Sequence, residues 1–198
     1  FISIEDNGIG IKRENMKRLF IAIHIKPSEE FLDVFDSIKE QLSDESIKWV
    51  EEENIDLTLR FIGEVDEDKA RIIADKLHHL KPSSPIIFNI EGLQLFRNFA
   101  DPKVIVTDIK PTQELSKLAE EINDELLQCG ISLPEKPFTP HLTLGRIKRL
   151  RDKKLLQELI SDLRNHYFQQ ISCTEFILFE SILRPQGPIY KKIATYSQ

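Results

Sequence analysis

The chain has 198 residues, 40% of them apolar, enough to bury a substantial core as one domain or as two apposed lobes. A formal charge of −6 argues against a protein that coats nucleic acid non-specifically, and no apolar run is long enough to span a bilayer. The expectation is a cytoplasmic monomer. Cys129 and Cys173 should be reduced, partly buried thiols, because they are far apart and neither belongs to a Cys-x-x-Cys pair.

The first residues, FISIEDNGIGIKREN, carry acids and glycines where a signal peptide needs a cationic start and an apolar stretch. Within them IEDNGIGI, followed by KRENMKRLF, resembles a nucleotide-binding box of histidine-kinase-type ATPases. The asparagine-bearing helix and the further glycine-rich lid that such a domain needs are both missing. Met16, the one methionine, instead begins a strand-like run. Residues 1–15 are therefore read as an appended, disordered segment, and residues 16–198 as a single domain. ATP binding at DNGIGI ranks as a distant alternative.

KRLFIAIHI (17–25) reads as a buried β-strand closed off by Pro27. Ser28 suits a helix N-cap, with Glu29 and Glu30 in the first turn and Phe31, Val34, Phe35, Ile38 and Leu42 at helical spacing. IKWV and IDLTLRFIG read as short strands, and 66–80 as a helix with Ala70, Ile73, Ala74 and Leu77 on one face. Residues 85–96 and 103–109 are again strand-like. A helix from Thr112 to Cys129 ends at Gly130. A strand at 141–147, a helix at 152–163 and strands at 168–183 and 189–196 complete the chain. Strands and helices mix in two halves of similar length, which predicts an α+β fold with two sheets facing a cleft.

The halves share a motif. Residues 56–59 read Asp-Leu-Thr-Leu and residues 141–144 read His-Leu-Thr-Leu. Alternation along a strand puts Asp56, Thr58 and Arg60 on one face and Leu57, Leu59 and Phe61 in a core; His141 and Thr143 oppose Leu142 and Leu144 in the same way. A cleft receiving Asp56, Thr58, His141 and Thr143 would hold an ionisable group on each side and two hydroxyls, a set suited to phosphoester chemistry. The basic run Arg146, Lys148, Arg149, Arg151, Lys153 and Lys154 reads first as a solvated loop and helix face. Its place directly after the second motif also allows a phosphate-steering surface. His78, His79 and His166 are expected on the surface without a role.

RLFIAI at the start, LTLRFIGEV at 57–65, PFTPHLTLGR at 137–146 and the closing FESILRPQGPIYKKIATY, with Ser181, Leu183, Pro185, Gly187, Pro188 and Tyr190, occur in an order that resembles the 2H phosphoesterase superfamily. The likeness is to its RNA 2′,3′-cyclic phosphodiesterases, once named 2′-5′ RNA ligases, and runs from Met16 to the end. It implies a bilobal, pseudo-twofold fold and a site between the lobes that needs no metal or other cofactor. It further implies RNA ends with a 2′,3′-cyclic phosphate, or related nucleotides, as partners. By resemblance His141 is the proton acceptor, Thr58 and Thr143 contact phosphate, and Asp56 stands where the family has its proton-donating histidine; Arg60, on the same strand face as Thr58, is a further candidate phosphate contact.

That aspartate is the departure. A carboxyl with a reference pKa near 3.9 is ionised at neutral pH, has no proton to give, and sets negative charge beside an anionic substrate. Reduced activity is the expectation, and a non-catalytic binder of RNA ends or nucleotides is the alternative. Burial and a nearby phosphate could keep Asp56 protonated. His24, on one strand face with Phe20 and Ala22, offers a lesser rescue.

Overall fold

The computed structural model describes residues 16–96, 101–185 and 187–197; the segment with DNGIGI lies outside the described residues. Nine strands and four helices are formed among them. They are β1 (Met16–His24), α1 (Glu29–Gln41), β2 (Ser46–Trp49), β3 (Asp56–Asp66), α2 (Glu67–Lys76), β4 (Ile86–Leu95), β5 (Val104–Lys110), α3 (Gln113–Gln128), β6 (His141–Arg149), α4 (Lys153–Asp162), β7 (Tyr167–Cys173), β8 (Glu175–Ile182) and β9 (Ile189–Ser197). Short 3-10 turns cover Glu52–Asn54 and Leu77–Leu80, so the helical pattern expected over 66–80 changes type after Lys76.

The strands make two antiparallel sheets, one ordered β3-β1-β8-β9 and the other β2-β6-β5-β4-β7. Their composition corrects the picture of two sequential halves. β2 and the 29–41 helix come from the first half but join the second sheet: α1 lays Phe31 against Phe168 of β7, ring centres 5.3 Å apart, and Phe35 edge-on to Trp49 of β2 at 5.8 Å. Conversely, β8 and β9 return from the end of the chain to complete the first sheet. The single strand expected over 168–183 is two strands, broken at Thr174 and divided between the sheets.

Helices form where amphipathic spacing and caps agree. Ser28 Oγ accepts the Phe31 N–H at 3.2 Å and Asp66 caps α2 through the Lys69 N–H at 2.7 Å. Beneath α1, Phe31, Phe35 and Ile38 are fully covered. Each such side chain contributes about 1.5–3 kcal/mol of transfer free energy, so Phe35→Ala would be the most direct way to loosen this helix. α2 and α3 cover the other sheet, joined where Lys69 Nζ donates to the Cys129 carbonyl at 2.7 Å. The Tyr196 hydroxyl donates to the Ala74 carbonyl at 3.0 Å and ties β9 to the same layer. Cys129 and Cys173 are buried free thiols, and among the described residues no helix is long and apolar enough to cross a membrane.

Each sheet has one face in this core. Leu19, Ile21, Ile23, Leu57, Leu59, Phe176 and Leu178 belong to the main cluster, while Phe20, Ala22, Ile177 and Phe179 form a separate small cluster on the opposite face of the same strands. That opposite face is one wall of a cleft.

Candidate active site

The cleft encloses about 1010 Å³, a volume suited to a nucleotide-sized ligand. β3 and β6 bring Asp56, Thr58, Arg60, His141 and Thr143 to its walls, so the structure gathers every residue that the paired motifs nominate. Alternation explains the placement, because Leu57, Leu59, Leu142 and Leu144 are buried and anchor both strands from behind.

His141 is held in one tautomer. Its Nδ1 lies 2.7 Å from the Thr139 carbonyl oxygen, which can only accept, so Nδ1 carries the hydrogen and Nε2 the lone pair. The Phe96 ring stacks on the imidazole at 4.3 Å and fixes its plane. An imidazole held this way is prepared to accept a proton.

Asp56 is situated differently. Its side chain is only 4% exposed, and Oδ1 lies 3.0 Å from Nδ1 of His24 on β1. Burial pushes the carboxyl above its ordinary pKa, while the bond to His24 and the charges of His24 and Lys192 pull the other way. Oδ2 is buried with no hydrogen-bond partner among the described residues. Sequence reasoning placed His24 on the correct face but missed its contact with Asp56, which depends on strand register.

Two bulges alter the expected walls. In β3 the pairing passes from Ala22–Thr58 to Ile21–Arg60, and in β6 from Val106–Thr143 to Ile105–Gly145. The first turns Phe61 out of the core, contrary to expectation: it is 60% exposed, lines the cleft, and meets Phe20 at 5.8 Å. The second leaves Leu144 and Gly145 both buried, so Arg146 and Lys148 reach the cleft side. The basic run therefore divides. Arg146 and Lys148, with Lys48 of β2, border the cleft, whereas Arg149 and Arg151 do not and Lys154 pairs with Glu158 at 3.3 Å.

Arg60 donates to the Ser132 carbonyl and so fastens β3 to the loop after α3. Its Nε and the Asn123 Oδ1, both at the cleft wall, are buried without partners among the described residues, polar atoms that a ligand or water would satisfy. Tyr190 also lines the cleft, and burial followed by the Asp56 charge raises its hydroxyl pKa. His79 meets Glu125 at 3.2 Å, and His78 and His166 sit edge-on to Tyr196 and Phe168, all outside the cleft. Among the described residues no three His, Cys, Asp or Glu side chains gather as a metal site.

Comparison with known proteins points one way. The family described as LigT-like phosphoesterase matches residues 23–106 and 108–190. An RNA 2′,3′-cyclic phosphodiesterase of Thermotoga maritima is 37% identical over 88% of this chain and 91% of its own. One of Archaeoglobus fulgidus is 32% identical over 90% of this chain and 99% of its own. In fold, the crystal structure of E. coli LigT complexed with 3′-AMP superposes with a TM-score of 0.72 at 20% identity, covering 92% of this chain and 98% of that one.

Proposed function

Because this chain belongs to the LigT-like phosphoesterase family, we propose that its cleft hydrolyses the 2′,3′-cyclic phosphate at an RNA end. The product is a 2′-phosphate beside a free 3′-hydroxyl, and residues 16–198 act as one unit. The observation that carries the reading is His141, fixed through Nδ1 on the Thr139 carbonyl with Thr143 two residues along the same strand.

Water attacks phosphorus and His141 Nε2 takes its proton. The P–O3′ bond breaks, the electron pair stays on O3′, and that oxygen is protonated from the β3 side. Thr58 and Thr143 donate hydroxyl hydrogens to the phosphate oxygens, a fixed polar setting that strengthens as charge builds on phosphorus. Arg146, Lys148 and Lys48 supply the positive field that a chain of net charge −6 lacks as a whole. Arg60 closes one end of the site. An ionised Asp56 by itself makes a poor donor, and absence of a general acid typically slows such a step by about 10² to 10⁴. If Asp56 were the donor by itself, the chain would turn over more slowly than an Asp56→His variant.

The test is hydrolysis of an oligoribonucleotide ending in a 2′,3′-cyclic phosphate, without added metal. Turnover that disappears in His141→Ala supports the assignment; turnover unchanged in that variant removes it. Tight binding of the RNA end with no turnover would favour the second reading, a non-catalytic binder, for which the carboxylate at the donor position is the specific motive.

A further inference from the structure

The reaction proposed above needs a proton on the β3 side of the cleft, and Asp56 alone is badly placed to give one. Register supplies what composition does not. β1 and β3 pair so that His24 stands directly across from Asp56. Opposed residues of an antiparallel pair project from the same face; Phe20, Asp56 and Thr58 of this face line the cleft, and His24, bonded to Asp56, stands beside them without being one of the lining residues. His24 Nδ1 is bonded to Asp56 Oδ1 at 3.0 Å, and no described residue bonds its Nε2.

Exposure divides the pair unequally, 4% for the Asp56 side chain against 38% for His24. A buried carboxylate that grips an accessible imidazole through Nδ1 fixes the ring and leaves Nε2 as the nitrogen that can exchange a proton. His141 and His24 thus differ in the group that holds Nδ1. Nδ1 of His141 meets a neutral carbonyl, which leaves Nε2 to accept a proton, whereas Nδ1 of His24 meets a carboxylate.

Resting on the phosphodiesterase reading, we propose that His24 is the proton donor of the reaction and that Asp56 is the carboxylate that positions it. As the P–O3′ bond breaks, the Nε2 proton of the His24 imidazolium passes to O3′, directly or through one water. A neutral imidazole remains, still bonded to the Asp56 carboxylate. His141 has gained a proton and His24 has lost one, and exchange with solvent restores both. Imidazolium and carboxylate sum to zero charge, which removes the repulsion that Asp56 alone would offer a phosphate. Lys192 of β9 adds positive charge near Asp56, and Tyr190 of the same strand, with Arg18 and Arg146 acting on it, completes the charged and titratable surroundings.

The experiment is a pH–rate profile for the unmodified chain, His24→Asn, Asp56→His, the His24→Asn/Asp56→His double variant and His141→Ala, on the same cyclic-phosphate RNA. Asparagine keeps an N–H for Asp56 but holds no transferable proton. Expected is a loss of about 10²-fold or more in His24→Asn, with the alkaline fall of the rate abolished. The gain from Asp56→His should be at least about tenfold larger in the His24→Asn background than in the unmodified chain. A His24→Asn variant with full rate and an unchanged alkaline limb would overturn the proposal, as would equal gains in the two backgrounds or an unmodified chain inert at every pH. Should His141→Ala keep its rate, the phosphodiesterase reading itself falls, an outcome distinct from failure of His24 alone.

Discussion

Gly145 allows the sharpest test of how the motif strand is seated. A Cβ built there would lie 2.7 Å from Trp49 Cε3 and 2.9 Å from both Trp49 Cζ3 and Ile47 Cγ2, nearer than carbon atoms tolerate. The indole is also packed edge-on against Phe35, ring centres 5.8 Å apart. Nor is its backbone free: Val50 N–H donates to the Leu144 carbonyl at 2.9 Å just beyond it. Gly145→Ala should therefore cost about 1–3 kcal/mol by overpacking. For a domain of this size that is a fall of roughly 2 to 12 °C in Tm. Trp49 is the only tryptophan, so its emission reports the displacement without interference, and the same ring borders the cleft. Adding Trp49→Phe to Gly145→Ala, which shrinks the obstructing ring, should recover part of the loss. An unchanged melting temperature with an unchanged emission maximum would refute the reasoning.

Burial raises the Asp56 pKa, so the folded chain binds this proton more tightly than the unfolded chain, and the associated stability is lost as pH rises through the folded value. Asp56→Asn should therefore be more stable than the unmodified chain at pH 7, the difference shrinking in acid; urea midpoints measured across pH decide it, and a less stable variant at pH 7 contradicts the burial account. Reversing Arg146 and Lys148 to glutamate should flatten the salt dependence of RNA-end binding by roughly 0.7 in slope per lost phosphate contact, while reversing Arg149 and Arg151 should leave it nearly unchanged. Equal effects from the two pairs would mean that the cleft edge is not where the RNA backbone runs. Cys129 and Cys173 are both buried, and burial raises the Cys173 thiol further. Neither should react with a thiol reagent at pH 8 until urea opens the fold, and rapid native labelling would show the core to be more open than described.

Local patterns were readable where the physics is local. Alternation along β1, β3 and β6, the helical spacing behind Ser28, and the glycine after Cys129, with φ of 76°, each depend on a few consecutive residues. Pairing is another matter. Nothing in SIKW announces that it will lie against β6, and the run from 168 to 183 shows no break strong enough to send its two parts to different sheets. The same holds within the site. Asp56, Thr58, His141 and Thr143 followed from a two-residue period, but Phe61 did not, because a bulge near Leu59 changes the phase of the strand. The Asp56–His24 contact required the β1–β3 register, a property of two strands together that neither sequence states alone.

The order in which the strands interleave bears on how the molecule comes into being. β1 and β3 can pair early, but the inner neighbour of β1 is β8, some 150 residues later in the chain, and β9 follows it. During synthesis the sheet carrying Asp56 thus waits, with one edge of β1 open, until β8 and β9 have emerged, while β2 waits for β6. Contacts of such long separation are slow to close and leave strand edges exposed in the interval. A chain arrested before residue 175 would carry both motif strands and still lack the completed sheet that supports one of them.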